Sequence, residues 1–152
     1  MKKELYIILH NVRSRFNVGS VFRTADGAGV SKIYLGGITP APPHSKIAKV
    51  SLGAENFVPY ESVWHTYQLL DKLKKQGVRI TAVEQVKNSI PYFKYKPKFP
   101  LAIIMGSETK GLSQAILKRC DDIIEIPMQG KKESLNVATA CGVVAFQVSS
   151  LL

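Results

Sequence analysis

Leu101-Ala-Ile-Ile-Met105, continued by Gly106-Ser-Glu-Thr-Lys-Gly-Leu112, runs through five apolar residues and then breaks into a polar turn bounded by glycines. A strand-length run that is apolar at every position reads as a strand buried on both faces. Such strands belong to parallel sheets covered on both sides by helices. The turn that follows lies at the carboxyl end of the strand, where open α/β sheets leave their binding crevices.

Working outward, residues 5–9 (LYIIL), 32–35 (KIYL), 79–83 (RITAV) and 123–126 (IIEI) read as further strands. Helical patterns alternate with them. Asn17 is placed to cap a helix over residues 18–28 that Gly29 ends. Residues 62–76 put Val63, Tyr67, Leu70 and Leu73 on one stripe, with Lys72, Lys74 and Lys75 in the last turn. Residues 112–119 form a short amphipathic helix. Residues 134–152 are apolar nearly all round, so that helix is buried in the core or against another subunit. Residues 36–60 carry Pro40, Pro42, Pro43, Gly53 and Pro59 and read mainly as loop, with a helical turn near residues 46–50. Residues 88–100 make a second loop. The expectation is one α/β domain over residues 1–152, a mostly parallel sheet with helices on both faces.

The chain has 152 residues, the size of a single compact domain, and 45% hydrophobic residues, which excludes disorder and a disulfide scaffold. No apolar run approaches the ~20 residues that span a bilayer. The start, Met1-Lys-Lys-Glu-Leu-Tyr6, is unlike a secretory signal. Cys120 and Cys141 stand without CxxC spacing, so a reducing, cytoplasmic setting with no metal is expected. Twenty-one Lys and Arg against eleven acids give a net charge of +10, which favours a polyanionic partner such as a phosphate backbone.

Neither GxGxxG nor GxxxxGK[ST] occurs, so the dinucleotide fingerprint and the P-loop are absent. Three polar clusters follow strands instead. Residues 17–29 (NVGSVFRTADGAG) join Asn17 and Arg23 with the nearby Arg13 and Arg15 in a positive corner suited to phosphate. The plainer alternative is a capping asparagine and a solvated arginine. Residues 104–112 (IMGSETKGL) offer Gly106 for close approach of a ligand and Glu108 as an acceptor for loop amides or an arginine. An ordinary glycine-bounded turn explains them equally. In residues 126–140 (IPMQGKKESLNVATA), Ser134 and Asn136 sit where capping is the default. A polar, glycine-containing loop between two buried elements is often a binding loop.

Together the three clusters resemble, in order and spacing, the motifs of the SpoU–TrmH branch of the SPOUT methyltransferases, and KVSLGAE at residues 49–55 is similar as well. The resemblance covers essentially the whole chain. It implies a C-terminal deep trefoil knot over about residues 101–152 and a dimer through the C-terminal helix. It implies an RNA methyltransferase that moves a methyl group from S-adenosyl-L-methionine to a ribose 2′-hydroxyl of tRNA or rRNA. By the same resemblance Gly106, Ile126 and Leu135 form the cofactor pocket, with Met128 and Ser134 as neighbours and Ala82 a weaker member. Arg23 matches the catalytic arginine, Asn17 its partner, and Glu108, Ser134 and Asn136 the remaining polar set. Ala138 stands where several relatives have serine. No motif histidine offers a base: His10, His44 and His65 read as structural or solvated. The loop of residues 92–99, with Lys94, Lys96 and Lys98 between aromatics, reads either as a nucleic-acid surface or as aromatics packed inward. A non-catalytic RNA-binding module and a base-directed methyltransferase are the competing readings.

Overall fold

The computed structural model describes residues 3–152. Seven strands form one sheet in the order β3-β2-β1-β6-β4-β7-β5. These are β1 (Leu5–His10), β2 (Lys32–Gly36), β3 (Tyr60–Val63), β4 (Arg79–Val83), β5 (Ile90–Pro91), β6 (Leu101–Met105) and β7 (Asp122–Glu125). Every pairing is parallel. All the carboxyl ends, and all the loops that follow them, therefore share one edge.

β6 sits at the centre, between β1 and β4, and is buried at all five positions. Its side chains alternate with the strand period of two. Leu101, Ile103 and Met105 join Leu5, Ile7 and Leu9 in one core layer, while Ala102 and Ile104 join Ile8, Ile80 and Ala82 in the other. Helices α1 (Arg15–Ala28), α2 (Ser45–Ser51) and α5 (Val137–Ser149) cover the first layer; α3 (Thr66–Lys75) and α4 (Gln114–Leu117) cover the second.

The helix boundaries differ from expectation for local reasons. Ser14, not Asn17, caps α1: its Oγ accepts from the Asn17 amide at 3.2 Å, which frees the Asn17 side chain. Gly29 ends α1 in the left-handed conformation, φ 73°, as expected. The expected helix over residues 62–76 begins only at Thr66, because Ser62 and Val63 pair with Leu35 and Gly36 as part of β3. The expected helix over residues 112–119 contracts to α4, capped by the Ser113 hydroxyl. Asn136 caps α5, so Ser134 lies before that helix and not in it. α5 packs one face on α1, and Phe146, whose ring lies beside Gly27 of α1, stays half-exposed at the edge of that contact. The helical turn near residues 46–50 is α2. In the loop of residues 92–99, Tyr95 points inward to Thr81, 2.7 Å between hydroxyls, and burial pushes its phenol up to about 12. Its three lysines and Phe93 remain exposed. Among the described residues, no helix is long and apolar enough to cross a membrane.

Candidate functional site

A cleft of about 500 Å³ opens at the carboxyl edge, between the ends of β4, β6 and β7 and the start of α5. Such a volume accommodates a cofactor-sized ligand. Of the residues expected to hold one, Gly106, Ile126, Ser134 and Leu135 line this cleft. Two do not. Ala82 is fully buried in the second core layer, and the half-buried Met128 stands outside the cleft wall.

One wall is the turn from Gly106 to Leu112. Ser107 and Gly111 bridge across it, and the Ser107 hydroxyl accepts from the amides of Thr109 and Lys110 at 3.2 and 3.1 Å. The turn itself requires a glycine at position 106. A Cβ on it would stand 2.5 Å from the Gly111 carbonyl carbon and 2.9 Å from the Leu112 nitrogen. The glycine lets the turn fold back onto its own strand end. The far end of the turn is held by a residue that sequence reasoning missed. Glu84, one position beyond β4, accepts the Leu112 amide at 2.9 Å. Gly111 holds the left-handed φ of 62° that favours glycine, and a Cβ there would push the same carboxylate out of place. Its signal in the sequence was a carboxylate at the carboxyl end of a buried strand, a position that often faces a ligand.

Glu108 leans away from this wall toward α1. Its carboxylate accepts from the backbone amides of Arg13 (3.3 Å) and Ser14 (3.1 Å) and from the Asn17 amide group (3.2 Å). Burial pushes its pKa up. That is outweighed by hydrogen bonds from its own amide, Ser14, Asn17 and Arg13, which hold it below the usual carboxylate range. The acceptor role expected of Glu108 is thus filled by loop amides and not by an arginine.

Asn17 also joins the third cluster. The Asn136 amide group donates to its Oδ1 at 3.2 Å, while Asn136 Oδ1 caps α5 through the Ala138 and Thr139 amides. Asn136, Asn17 and Glu108 therefore form one hydrogen-bonded chain across sequence separations of 119 and 91 residues. Ser134 is exposed beside it.

Arg23 is not brought into this cluster. It lies six residues beyond Asn17 on α1, about 9 Å along the axis, exposed and outside the cleft. It shares a stripe with Phe16, Ser20 and Gly27, and a Cβ on Gly27 would meet Phe146 of α5 at 3.1 Å. Among the described residues Arg23 has no salt bridge and no side-chain hydrogen bond.

The three histidines are occupied elsewhere or exposed. His10 Nδ1 pairs with the Thr66 hydroxyl at 2.8 Å, and burial lowers its pKa. His44 caps α2, and His65 is exposed at the start of α3. Both cysteines are free, and burial pushes each thiol up to about 12. No cluster of potential metal ligands occurs among the described residues.

The sequence profile of the SpoU rRNA Methylase family matches residues 4–146. Among curated relatives, the 23S rRNA (guanosine-2'-O-)-methyltransferase of Vibrio parahaemolyticus is 35% identical over 145 residues, covering 94% of this chain and 58% of its own length. The chain thus spans somewhat more than half of the relatives it matches. An AdoMet-bound rRNA methyltransferase from Sinorhizobium meliloti superposes with a TM-score of 0.93 at 29% identity, over 100% of this chain and 58% of that one. The TrmH/SpoU tRNA modifying enzyme of A. aeolicus gives 0.88 at 28% identity, over 98% and 75%. With sequence profile and fold in agreement along nearly its whole length, the chain belongs to the SpoU rRNA methylase family.

Proposed function

We propose that the chain is the catalytic unit of a cytoplasmic RNA ribose 2′-O-methyltransferase that uses S-adenosyl-L-methionine and acts on tRNA or rRNA. The observation that carries the reading is the Asn136–Asn17–Glu108 chain, which ties all three motifs together at the rim of a cofactor-sized cleft. The relatives named for 2′-O-methylation support it. So does the charge of the cleft. In a chain of net charge +10, its lining carries Glu84, Glu108 and Glu125 against Lys110 as the one cation. That balance suits a positively charged ligand. When bound, S-adenosyl-L-methionine supplies a methyl group on a cationic sulfur. Gly106, Ile126 and Leu135 would hold it, with Ser134 beside them.

The work left to the chain is to align a ribose hydroxyl with that methyl and to let its proton go. Alignment alone is worth several kcal/mol of barrier. Glu108 is ionised and fully engaged by amides, so its part is to fix the loop of residues 11–14 and Asn17. Asn17 and Asn136 then stand as orienting groups, and Ser134 offers a hydroxyl at the cleft. The guanidinium of Arg23 suits it to hold an RNA phosphate, which takes up the hydroxyl proton, and to stabilise the developing alkoxide.

Arg23 lies outside the cleft of its own chain, so we infer that a second copy supplies it. The half-exposed Phe146 on α5, next to the Arg23 stripe of α1, supports a homodimer through these two helices. The segment of residues 127–136 joins β7 to α5 and brings Ser134 and Leu135 to the cleft that Gly106 also lines, and we infer that it is part of the trefoil threading that the family resemblance implies.

The test is methyl transfer from labelled S-adenosyl-L-methionine to bulk tRNA and rRNA, followed by nucleoside analysis. Product confined to 2′-O-methyl nucleosides is expected; methylated bases would overturn the reading. With RNA and cofactor saturating, Arg23→Ala should lower the single-turnover rate by a factor of ~10²–10⁴. Arg15→Ala should only weaken RNA binding. Mixing Arg23→Ala with Gly106→Val should restore roughly a quarter of the activity, because half of the re-formed dimers hold one intact site. No recovery would place Arg23 in its own chain's site or remove it from the reaction.

A further inference from the structure

Trp64 is the sole tryptophan of the chain and is 80% exposed. A large aromatic left in solvent calls for a partner more than a scattered leucine does. Its backbone, by contrast, is tied down on both sides. The preceding carbonyl, on Val63, accepts the Gly37 amide at 2.9 Å, and the Thr66 hydroxyl two residues on pairs with His10 at 2.8 Å. Gly37 is followed by Ile38, 53% exposed, whose amide donates to Asn11 at 3.0 Å. The ends of β1, β2 and β3 are thus laced together, and two apolar side chains are left uncovered on the lacing. Trp64 makes no aromatic or cation–π contact among the described residues.

Its placement follows from the sheet order. β3 lies three strands from β6, so Trp64 stands about 14 Å from the Gly106 end of the cleft on the same carboxyl edge. That is within reach of nucleotides adjacent to one held at the cleft. Arg13 and Arg15, both exposed and without salt bridges among the described residues, leave the end of β1 between the two places. Cations between a reaction cleft and a rigid aromatic face are the parts of a single-stranded nucleic-acid track: charge follows the backbone, and the ring stacks a base of any identity. A ring on an anchored backbone also loses little freedom when a base settles on it.

We propose that Trp64 is a base-stacking subsite for substrate RNA, gripping an unpaired nucleotide near the methylated ribose, with Arg13 and Arg15 holding the intervening phosphates. This rests on the reading of the chain as an RNA methyltransferase. Because Trp64 is the only tryptophan, its emission reports the contact directly. A short fluorescently labelled oligoadenylate should bind and quench that emission, whereas inorganic polyphosphate, which has charge but no bases, should leave it unchanged. Trp64→Ala should weaken oligoadenylate binding roughly 5- to 150-fold, the range seen when a stacked base loses its aromatic. Trp64→Phe should keep most of the affinity. Calorimetric binding of S-adenosyl-L-methionine should be equal in all three proteins. If oligoadenylate and cofactor bind normally while the emission stays unmoved, or polyphosphate quenches equally, the subsite is wrong and the methyltransferase reading stands. A shift of emission with protein concentration alone would assign the ring to a second copy of the chain and overturn the proposal. If the wild-type protein binds neither RNA nor cofactor, both readings fall together.

Discussion

The two walls of the cleft are built in opposite ways. On one side, the Gly106–Leu112 turn is bonded internally through Ser107, to β4 through Glu84 and to α1 through Glu108. On the other, the segment of residues 127–135, which brings only Ser134 and Leu135 to the cleft, makes no hydrogen bond within the described structure until Asn136 caps α5; Gln85 grips only the preceding Ile126 carbonyl, at 3.2 Å. Residues 129–134 are all exposed. Local stability follows the density of buried and bonded contacts. The first wall is therefore a fixed template, and the second is a segment whose backbone groups stay available to a ligand. That division leaves a ligand a rigid surface on one side and free backbone groups on the other.

Damage to the fixed wall should have the largest effect. Gly106→Val drives side-chain atoms into the Gly111 backbone. Overpacking an unyielding site costs about 1–3 kcal/mol, or about 5- to 150-fold in cofactor affinity if it falls on the cleft. Calorimetry with S-adenosyl-L-methionine should show that loss together with a lowered melting temperature. Affinity within a few-fold of wild type would show that the turn is not the binding wall.

Hydrogen exchange sharpens the contrast further. Without ligand, the amides of residues 127–135 should exchange rapidly and those bonded in the Gly106–Leu112 turn slowly. Added cofactor should protect the former and leave the latter nearly unchanged. Equal protection of both segments would mean that the cleft closes as a unit.

The smallest effect compares two helix caps. Ser14→Ala removes a cap that serves α1 alone, worth about 1 kcal/mol or roughly 2–4 °C in a chain of this size. Asn136→Ala removes a cap of similar worth and also cuts the link to Asn17. Thermal melts should therefore be alike, while the single-turnover methylation rate falls only in Asn136→Ala. A parallel fall in Ser14→Ala would assign the effect to α1 as a whole.

Much of this was legible in the residues. β1, β2, β4, β6 and β7 are within about one residue of their expected bounds, because buried parallel strands are marked by apolarity on both faces. β3 and β5 carry no such mark. Tyr60–Val63 contains Glu61 and Ser62, and Ile90–Pro91 is two residues long. Edge strands such as these exist because a neighbour offers its ladder, and no local pattern announces that. The cap of α1 is ambiguous in the sequence for a related reason: Ser14 and Asn17 both suit the position, and only the contact with Glu108 shows which of them is needed elsewhere.

By itself, the sequence determined the α/β class, the family and the three motifs, since each is written in short-range order: apolar runs, glycine-bounded turns and small polar residues at strand ends. Only the tertiary structure decided what those motifs do to one another. It joined Asn17, Glu108 and Asn136 into one chain, brought in Glu84, set Ala82 and Met128 apart from the cleft, and left Arg23 on an outer helix face. Hydrogen bonds between residues some ninety or more positions apart depend on how the sheet orders its strands, and spacing along the chain carries no record of that order.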